Sequence, residues 1–530
     1  MAKETLRSGI VVEHPEGLIL RESESSEGTG LRADRPDTSE ERDEFLKAVS
    51  ESPEFTRLDS FELGGAIGQD RLAALENETS PEVVTVRVPL DADEGAVALA
   101  ESDGVIRWEY PELIEVQPNE AGGLGAMSET PNRVAVFRSR YSPAVNEDEK
   151  PESLGLTGDF LLKPFKKIIL RFTAKKTAEA VSSYLEKNIS EGPMILKKRS
   201  DGQFAWESVP SFSGAWSADG KKSVLLLVHG TFSSTEGSFG GLATTPEGRD
   251  FLTRAMDQYD TIIGFDHKTL TKTVRENAFE LSAKLGTLPA GDITFDAVAF
   301  SRGGLVLRYL TESLLPTHPR RFVFRNAVFV ACTNGGTKLA DPNHWKDLVD
   351  LYTNLVSGAG RLVSFVGGPS AILASNIVSG ALRGVLSFVR YLATESTTGK
   401  AIPGLASMDP NGDDVKFINQ RQQGQPVPDR VNYHVIEANF DHSLFGEQKL
   451  AELGLKTRLF LEFADGFIDR LFQKAENDLV VDRVSMSQIA PWSTENWIKE
   501  RHEFLKNDGV YHTVYFNNQQ VAKKLASWLL

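Results

Sequence analysis

The 530 residues hold a single cysteine, Cys332, and a formal charge of −16, which excludes an intramolecular disulfide and a cysteine-based metal site. Forty per cent hydrophobic and 25% charged residues describe an ordinary soluble globular chain, long enough for two or more domains. The acidity is uneven: residues 1–120 carry 29 Asp/Glu against 11 Lys/Arg, the other 410 carry 45 against 47, which disfavours nucleic acid and anionic lipid as partners of the N-terminal part.

In chain order, Met1 to Arg7 contain no apolar run of signal-peptide length, so a cytoplasmic location is expected. Residues 8–21 read as two short strands around a Pro15–Gly17 turn. Residues 22–44 are almost devoid of apolar side chains and read as a disordered loop. Val83–Val88 alternates as a strand, and Gly104–Tyr110 is expected to pair with it. Residues 1–125 thus read as a small acidic α+β accessory module, open to a protein partner. Residues 126–220 read as a linker plus a basic segment at 159–187. That segment's apolar positions Leu161, Leu162, Phe165, Ile168, Ile169 and Phe172 suit a helix; such a helix docks on membrane or on an acidic partner, or packs on the core.

From Lys221 buried strands alternate with helices, the pattern of a mostly parallel α/β sheet. Ser223–Val228 is continuously apolar, as a strand covered on both faces requires. Thr261–Phe265, Ile293–Phe300, Phe322–Cys332 and Val431–Ala438 follow, then a short strand at 510–514 and a helix over Gln519–Leu529. Cys332 reads as a small buried hydrophobe. Residues 343–400 form an apolar, Gly-containing helical insertion, either a lid or a static hairpin. Its uncharged run Leu362–Leu382 has the length of a membrane span, but Gly367-Gly368-Pro369, Asn376 and several serines argue against one.

Ser301 stands where the strand Ile293–Phe300 turns through Ser301-Arg302-Gly303-Gly304 into helical spacing at Leu305, Val306 and Tyr309. A serine at such a turn resembles the nucleophile elbow of α/β-hydrolases, with Ala299 where the usual pattern has glycine. Acyl transfer also needs a base, a carboxylate to orient it and donors for the oxyanion. In that fold they follow in the order Ser, Asp/Glu, His. His512 is the candidate base; His502, in a charged stretch that reads as helix, is its competitor. Asp478, at a polar turn before an apolar run, is the candidate acid, with Asp441 and Asp482 as rivals. The oxyanion donors would be the N–H of Arg302 and that of Thr231 or Phe232. His229 reads as a brace for its loop, and Asp266-His267 as a structural pair.

Residues 221–530 resemble lipase-type α/β-hydrolases, especially bacterial lipase-like serine esterases, through Val228-His229-Gly230-Thr231, Ala299-Phe300-Ser301-Arg302-Gly303, Asn477-Asp478-Leu479-Val480 and His512-Thr513-Val514-Tyr515-Phe516. The resemblance implies an α/β-hydrolase fold with a helical lid at 343–400. It also implies a serine hydrolase that cleaves carboxylic esters through Ser301, His512 and Asp478, on a small-molecule ester substrate, lipid-like ones included. No cofactor or metal is expected, since no carboxylate loop supports the structural calcium of many bacterial lipases. Peripheral membrane contact through the lid or the basic segment is open. The alternatives are a catalytically silent interaction protein on the same fold and an acyltransferase using the same residues.

Overall fold

The computed structural model describes residues 1–22, 49, 52, 55–68, 82–102, 105–115, 133–141, 159–173, 186, 190–215, 223–288, 293–318, 322–364, 384–393, 402–420, 428–445, 449, 469–472 and 475–530. The chain divides into two compact units, Met1–Ser39 with Val49–Ser183 and Leu386–Thr398, and Glu40–Ala48 with Tyr184–Val385 and Gly399–Leu530.

In the first unit the named elements among the described residues are ten strands in two antiparallel sheets. One sheet runs β1 (Ala2–Thr5), β2 (Val11–His14), β5 (Glu82–Leu90), β9 (Arg133–Tyr141), β8 (Glu112–Glu115). The other runs β3 (Ile19–Glu22), β4 (Arg57–Gly68), β10 (Asp159–Thr173), β6 (Glu94–Ser102), β7 (Val105–Glu109). Alternate residues of both sheets, among them Val84, Val86, Val88, Phe61, Leu63, Ala98 and Phe137, share one core, as the two-residue period of strands requires.

Two expectations are corrected here. Among the described residues of the module expected as α+β, the named elements are strands, while much of it lies outside the description. Gly104–Tyr110 does supply a strand, but β7 pairs with β6 rather than with the strand at Val83–Val88. The basic segment expected as a helix is strand β10 as far as Thr173; its register shifts between Leu162 and Phe165, which breaks the strict alternation that marks a strand in sequence. Lys167 is buried, its Nζ 2.6 Å from Glu109 Oε2 and 2.5 Å from Ser139 Oγ. The expected disordered loop lies almost wholly outside the described residues.

The second unit is organised on an eight-stranded sheet: β12 (Phe204–Ser208), β11 (Gly192–Lys198), β14 (Thr261–Asp266), β13 (Ser223–Val228), β15 (Ile293–Phe300), β16 (Phe322–Val330), β17 (Asn432–Ala438), β18 (Ile498–Phe504). From β14 to β18 every pairing is parallel; β11 runs antiparallel to both its neighbours. The central strands are apolar throughout because both faces are covered. β13 is buried at every position. The helices include α1 (Thr235–Phe239), α2 (Pro246–Gln258), α3 (Val274–Leu285), α4 (Gly303–Arg308), α5 (Trp345–Ser364) and α6 (Gln519–Leu529).

After β13 the chain adds β14 on one side and then crosses to add β15 on the other. The strand order reverses there, so the carboxyl ends of β13 and β15 flank a crevice, the place where open α/β sheets bind ligands. The loop after β13 begins at His229 and the turn after β15 at Ser301.

The sheet starts about thirty residues before Lys221. Its edge hairpin β11–β12 turns at Asp201-Gly202, with Gly202 at φ +84°, a dipeptide that favours such turns. His502 stands in edge strand β18, not in a helix. Residues 510–514 form a turn closed by Val514 N–H to Tyr511 O at 3.1 Å, not a strand. Of the insertion at 343–400, α5 and a helix over 384–393 are described; residues 365–383, which hold most of the uncharged run, lie outside the description. Among the described residues no helix is long and apolar enough to cross a membrane.

Candidate active site

Ser301 sits at φ +52°, in the left-handed region that costs a non-glycine residue on the order of 1–3 kcal/mol. Neighbouring bonds fix it there: its N–H donates to Val330 O at 3.1 Å, and its carbonyl accepts from Gly304 at 3.1 Å and Thr333 at 3.2 Å. The glycines around it are required by space. A Cβ on Gly303 would lie 2.3 Å from Val228 O, one on Gly304 2.5 Å from Cys332 Cβ, and one on Gly230 2.7 Å from Ser301 Cβ. Ala299 is fully buried in β15 and does not disturb the turn. Cys332 lies just past β16, buried, and burial pushes its thiol well above the usual range.

His512 comes to Ser301 from the far end of the chain. Its Nδ1 donates to Asp478 Oδ2 at 2.9 Å, which leaves Nε2 to accept from the Ser301 hydroxyl at 3.0 Å. The His512 N–H also donates to the Asp478 carbonyl at 3.0 Å. Asp478 is held in turn: Oδ1 accepts from the N–H groups of Val480 at 3.1 Å and Val481 at 2.9 Å, and Oδ2 from the Tyr515 hydroxyl at 3.2 Å. Leu479 adopts φ +81° to wrap the chain around the carboxylate. Ser301, His512 and Asp478 are all buried.

The loop after β13 is locked from behind. Glu186, buried, accepts from Thr269 N and Oγ1, Leu270 N, and Thr271 N and Oγ1 at 2.6–3.0 Å. Thr269 Oγ1 in turn accepts from Phe232 N–H at 3.2 Å. The N–H groups of Thr231 and Arg302 have no hydrogen-bond acceptor among the described residues. Of the two loop donors anticipated, Phe232 is therefore engaged and Thr231 is open. The Arg302 side chain is buried and donates to Asn277 Oδ1 at 2.8 Å and Lys272 O at 2.6 Å; burial pulls its guanidinium down to about 10.

A model of one family matches residues 191–530, nearly two thirds of the chain; it is described as a domain of unknown function, DUF7379. The chain belongs to the DUF7379 family. No curated protein matches it. Solved structures similar to it include a Bacillus licheniformis lipase, 14% identical over 57% of this chain and 91% of that one, with a TM-score of 0.30. Lipase 1 of Pelosinus fermentans is 14% identical over 58% and 100%, TM-score 0.32. A Legionella pneumophila phospholipase is 15% identical over 50% and 45%, TM-score 0.29. At such scores the shared part is too loose to carry an argument.

The rival residues lie elsewhere. The Asp441 carboxylate accepts from Ser443 Oγ at 2.6 Å and Lys506 Nζ at 3.2 Å; partial burial works against ionisation there, but these bonds hold it below its ordinary range. Asp482 precedes a short helix at Arg483–Met486, and burial raises its carboxyl. His502 faces Phe504 on β18. His229 stacks on His267 with ring centroids 4.0 Å apart; its Nδ1 donates to Gly230 O at 2.9 Å and its Nε2 accepts from His267 N–H at 3.1 Å. Asp266 Oδ1 accepts from Thr235 N–H at 2.7 Å at the start of α1.

Sequence reasoning missed three residues of this site. Glu186 lies in a stretch with no motif. Tyr515, three residues after His512, belonged to the quoted motif but was given no role. Tyr352 of α5 was not singled out within the helical insertion. With Ser301, Thr231 and Thr333 it lines a small recess, walled otherwise by apolar side chains such as Leu348, Leu405, Met408 and Val480. Among the described residues no cluster of three or more His, Cys, Asp or Glu could hold a metal ion.

Proposed function

We propose that the second unit is an α/β-hydrolase-fold serine hydrolase that cleaves carboxylic esters through an acyl-enzyme. The observation that carries this reading is the unbroken hydrogen-bond chain from Ser301 Oγ through His512 to Asp478, on a serine at φ +52°. Ser301 Oγ attacks the ester carbonyl as His512 Nε2 takes its proton. Asp478 holds the ring in the tautomer that exposes Nε2 and stabilises the imidazolium that forms. Negative charge on the carbonyl oxygen is met by the N–H groups of Thr231 and Arg302, neither of which has an acceptor among the described residues. Collapse expels the alcohol with the proton from His512. Water then enters by the same path and releases the acid. The lining of the small recess beside Ser301, threonine hydroxyls near the serine and aliphatic walls beyond, favours an uncharged group over a charged one.

The test is labelling by a fluorophosphonate, read by intact mass, together with turnover of activated esters. Wild-type chain should take one phosphonyl group and Ser301→Ala none, with turnover reduced on the order of 10⁶-fold. Esterase activity that survives in Ser301→Ala overturns the reading.

A further inference from the structure

Asp478 opens a stretch that lies outside the eight strands of the sheet. It closes one antiparallel bridge, Asn477 with Asp482, and turns through the short helix Arg483–Met486. The loop after β16 holds this stretch to the nucleophile side. Thr337 Oγ1 donates to Val480 O at 2.8 Å, and Asn334 Nδ2 to Met486 O at 2.7 Å. Gly335 N–H donates to Ser485 O at 3.0 Å, and Ser485 Oγ to Gly336 O at 2.5 Å. The same loop grips the elbow, since Thr333 N–H donates to the Ser301 carbonyl at 3.2 Å. Behind the loop lies Arg308, the last residue of α4, with its side chain wholly buried. Nη1 donates to Asn334 O at 3.3 Å, Gln488 O at 3.2 Å and Asn419 Oδ1 at 2.9 Å, and Nη2 to Ile418 O at 3.3 Å. Nε and Nη2 pair with the Glu312 carboxylate at 2.8 and 3.2 Å.

A buried ion pair by itself adds little stability, because desolvating two charges offsets most of their attraction. Glu312 answers the charge of Arg308, but it does not account for the donors spent on three other segments. Through them one planar fork joins α4, the loop after β16, the helix Asp413–Asn419 and the end of the stretch that begins at Asp478. We propose that Arg308 is a positioning residue for the reaction. It fixes residues 478–488 and the Asn334 loop against the helix that follows Ser301, and so sets the alignment of Asp478, His512 and Ser301. This rests on the reading of Ser301 as nucleophile. Arg308 touches none of the reacting groups; it acts at both ends of their hydrogen-bond chain, through Gln488 on the acid side and Asn334 on the serine side. Lysine would keep a charge for Glu312 but lacks the rigid fork that reaches several carbonyls at once. Misalignment by a fraction of an ångström slows the chemical step and leaves substrate binding largely alone.

The experiment compares wild type, Arg308→Lys, the double variant Arg308→Met with Glu312→Met, and Ser301→Ala. Each is measured for kcat and KM on one activated short-chain ester, and for its unfolding midpoint. The second readout is the low-field proton resonance of the His512 Nδ1–H bond to Asp478, recognised by its loss in Asp478→Asn. Arg308→Lys keeps the charge pair and the double variant removes both charges, so neither strands a charge in the core. Both should lower kcat roughly 10- to 100-fold with KM near wild type, and both should shift the resonance. A folded variant with wild-type kcat overturns the proposal, since Arg308 would then serve stability alone. A lowered kcat with an unmoved resonance overturns it too, because the alignment would be intact. Should both variants unfold, Asn419→Ala removes one acceptor of Nη1 while leaving the ion pair, and the same two readouts decide. If Ser301→Ala still turns over the ester, the nucleophile reading falls, and the resonance alone then judges Arg308.

Discussion

Tyr515 donates its hydroxyl to Asp478 Oδ2 at 3.2 Å, the same oxygen that holds His512 at 2.9 Å. Burial and the neighbouring carboxylate raise the phenol well above its ordinary range, so it acts as a permanent donor. Tyr515→Phe should lower kcat about tenfold and cost about 1–2 kcal/mol of stability, the usual effect of stripping a partner from a buried acceptor. Ester turnover and urea unfolding of the variant check both, and a kcat equal to wild type argues for packing alone.

Asp478 and Asp441 make opposite predictions for the same chemical change. Asp478→Asn leaves shape intact but presents an amide to His512 Nδ1, and the wrong tautomer should lower kcat on the order of 10⁴-fold. Asp441 binds Ser443 and Lys506, so Asp441→Asn should stay within about threefold of wild type. Ester turnover of the two variants decides which carboxylate serves the imidazole.

The glycines of the elbow have different tolerances. A methyl group on Gly303 meets the backbone carbonyls of Val228 and His229 at 2.3 and 2.7 Å, and backbone cannot step aside. Gly303→Ala should lose about 1–3 kcal/mol or more, read in urea unfolding. On Gly230 the nearest atom is Ser301 Cβ at 2.7 Å, so Gly230→Ala should cost activity more than stability.

The stacked pair His229 and His267 predicts an acid-sensitive fold. Burial lowers both imidazoles below the ordinary 6.5, His267 most strongly. Their folded pKa values lie below the unfolded ones, so the unfolded chain binds more protons as pH falls. Stability is then fully present above about pH 6.5 and declines below it. Urea midpoints should fall between pH 7.5 and pH 5.5, and His267→Phe should flatten that fall; an equal slope in the variant refutes the assignment to this pair.

The central strands of the second unit were legible because parallel strands covered on both faces leave long apolar runs, as Ser223–Val228 and Ile293–Phe300 do. Gln519–Leu529 was legible as a helix, and Val521, Ala522, Leu525, Trp528 and Leu529 form its buried face. β10 was not, because a register shift and a buried lysine gave its apolar residues a helix-like spacing. β18 was hidden for the opposite reason: an edge strand exposes most of its length, and Lys499-Glu500-Arg501 looked like a solvated helix. At the site, the residues with chemistry could be ordered along the chain, whereas Glu186, Tyr352 and Tyr515 act through tertiary contacts that leave no periodic trace. The Asp201-Gly202 turn was the available signal for β11–β12.

Glu186 bears on how the protein should be cut. The family match begins at residue 191, and a truncation made there would discard the carboxylate that collects five hydrogen bonds from Thr269, Leu270 and Thr271. Thr269 would lose its anchor, and with it the grip of its Oγ1 on Phe232 N–H, one residue from the donor assigned to the oxyanion. An excised second unit should therefore begin upstream of Tyr184, and a low activity measured on a shorter fragment would report the missing glutamate rather than the chemistry at Ser301.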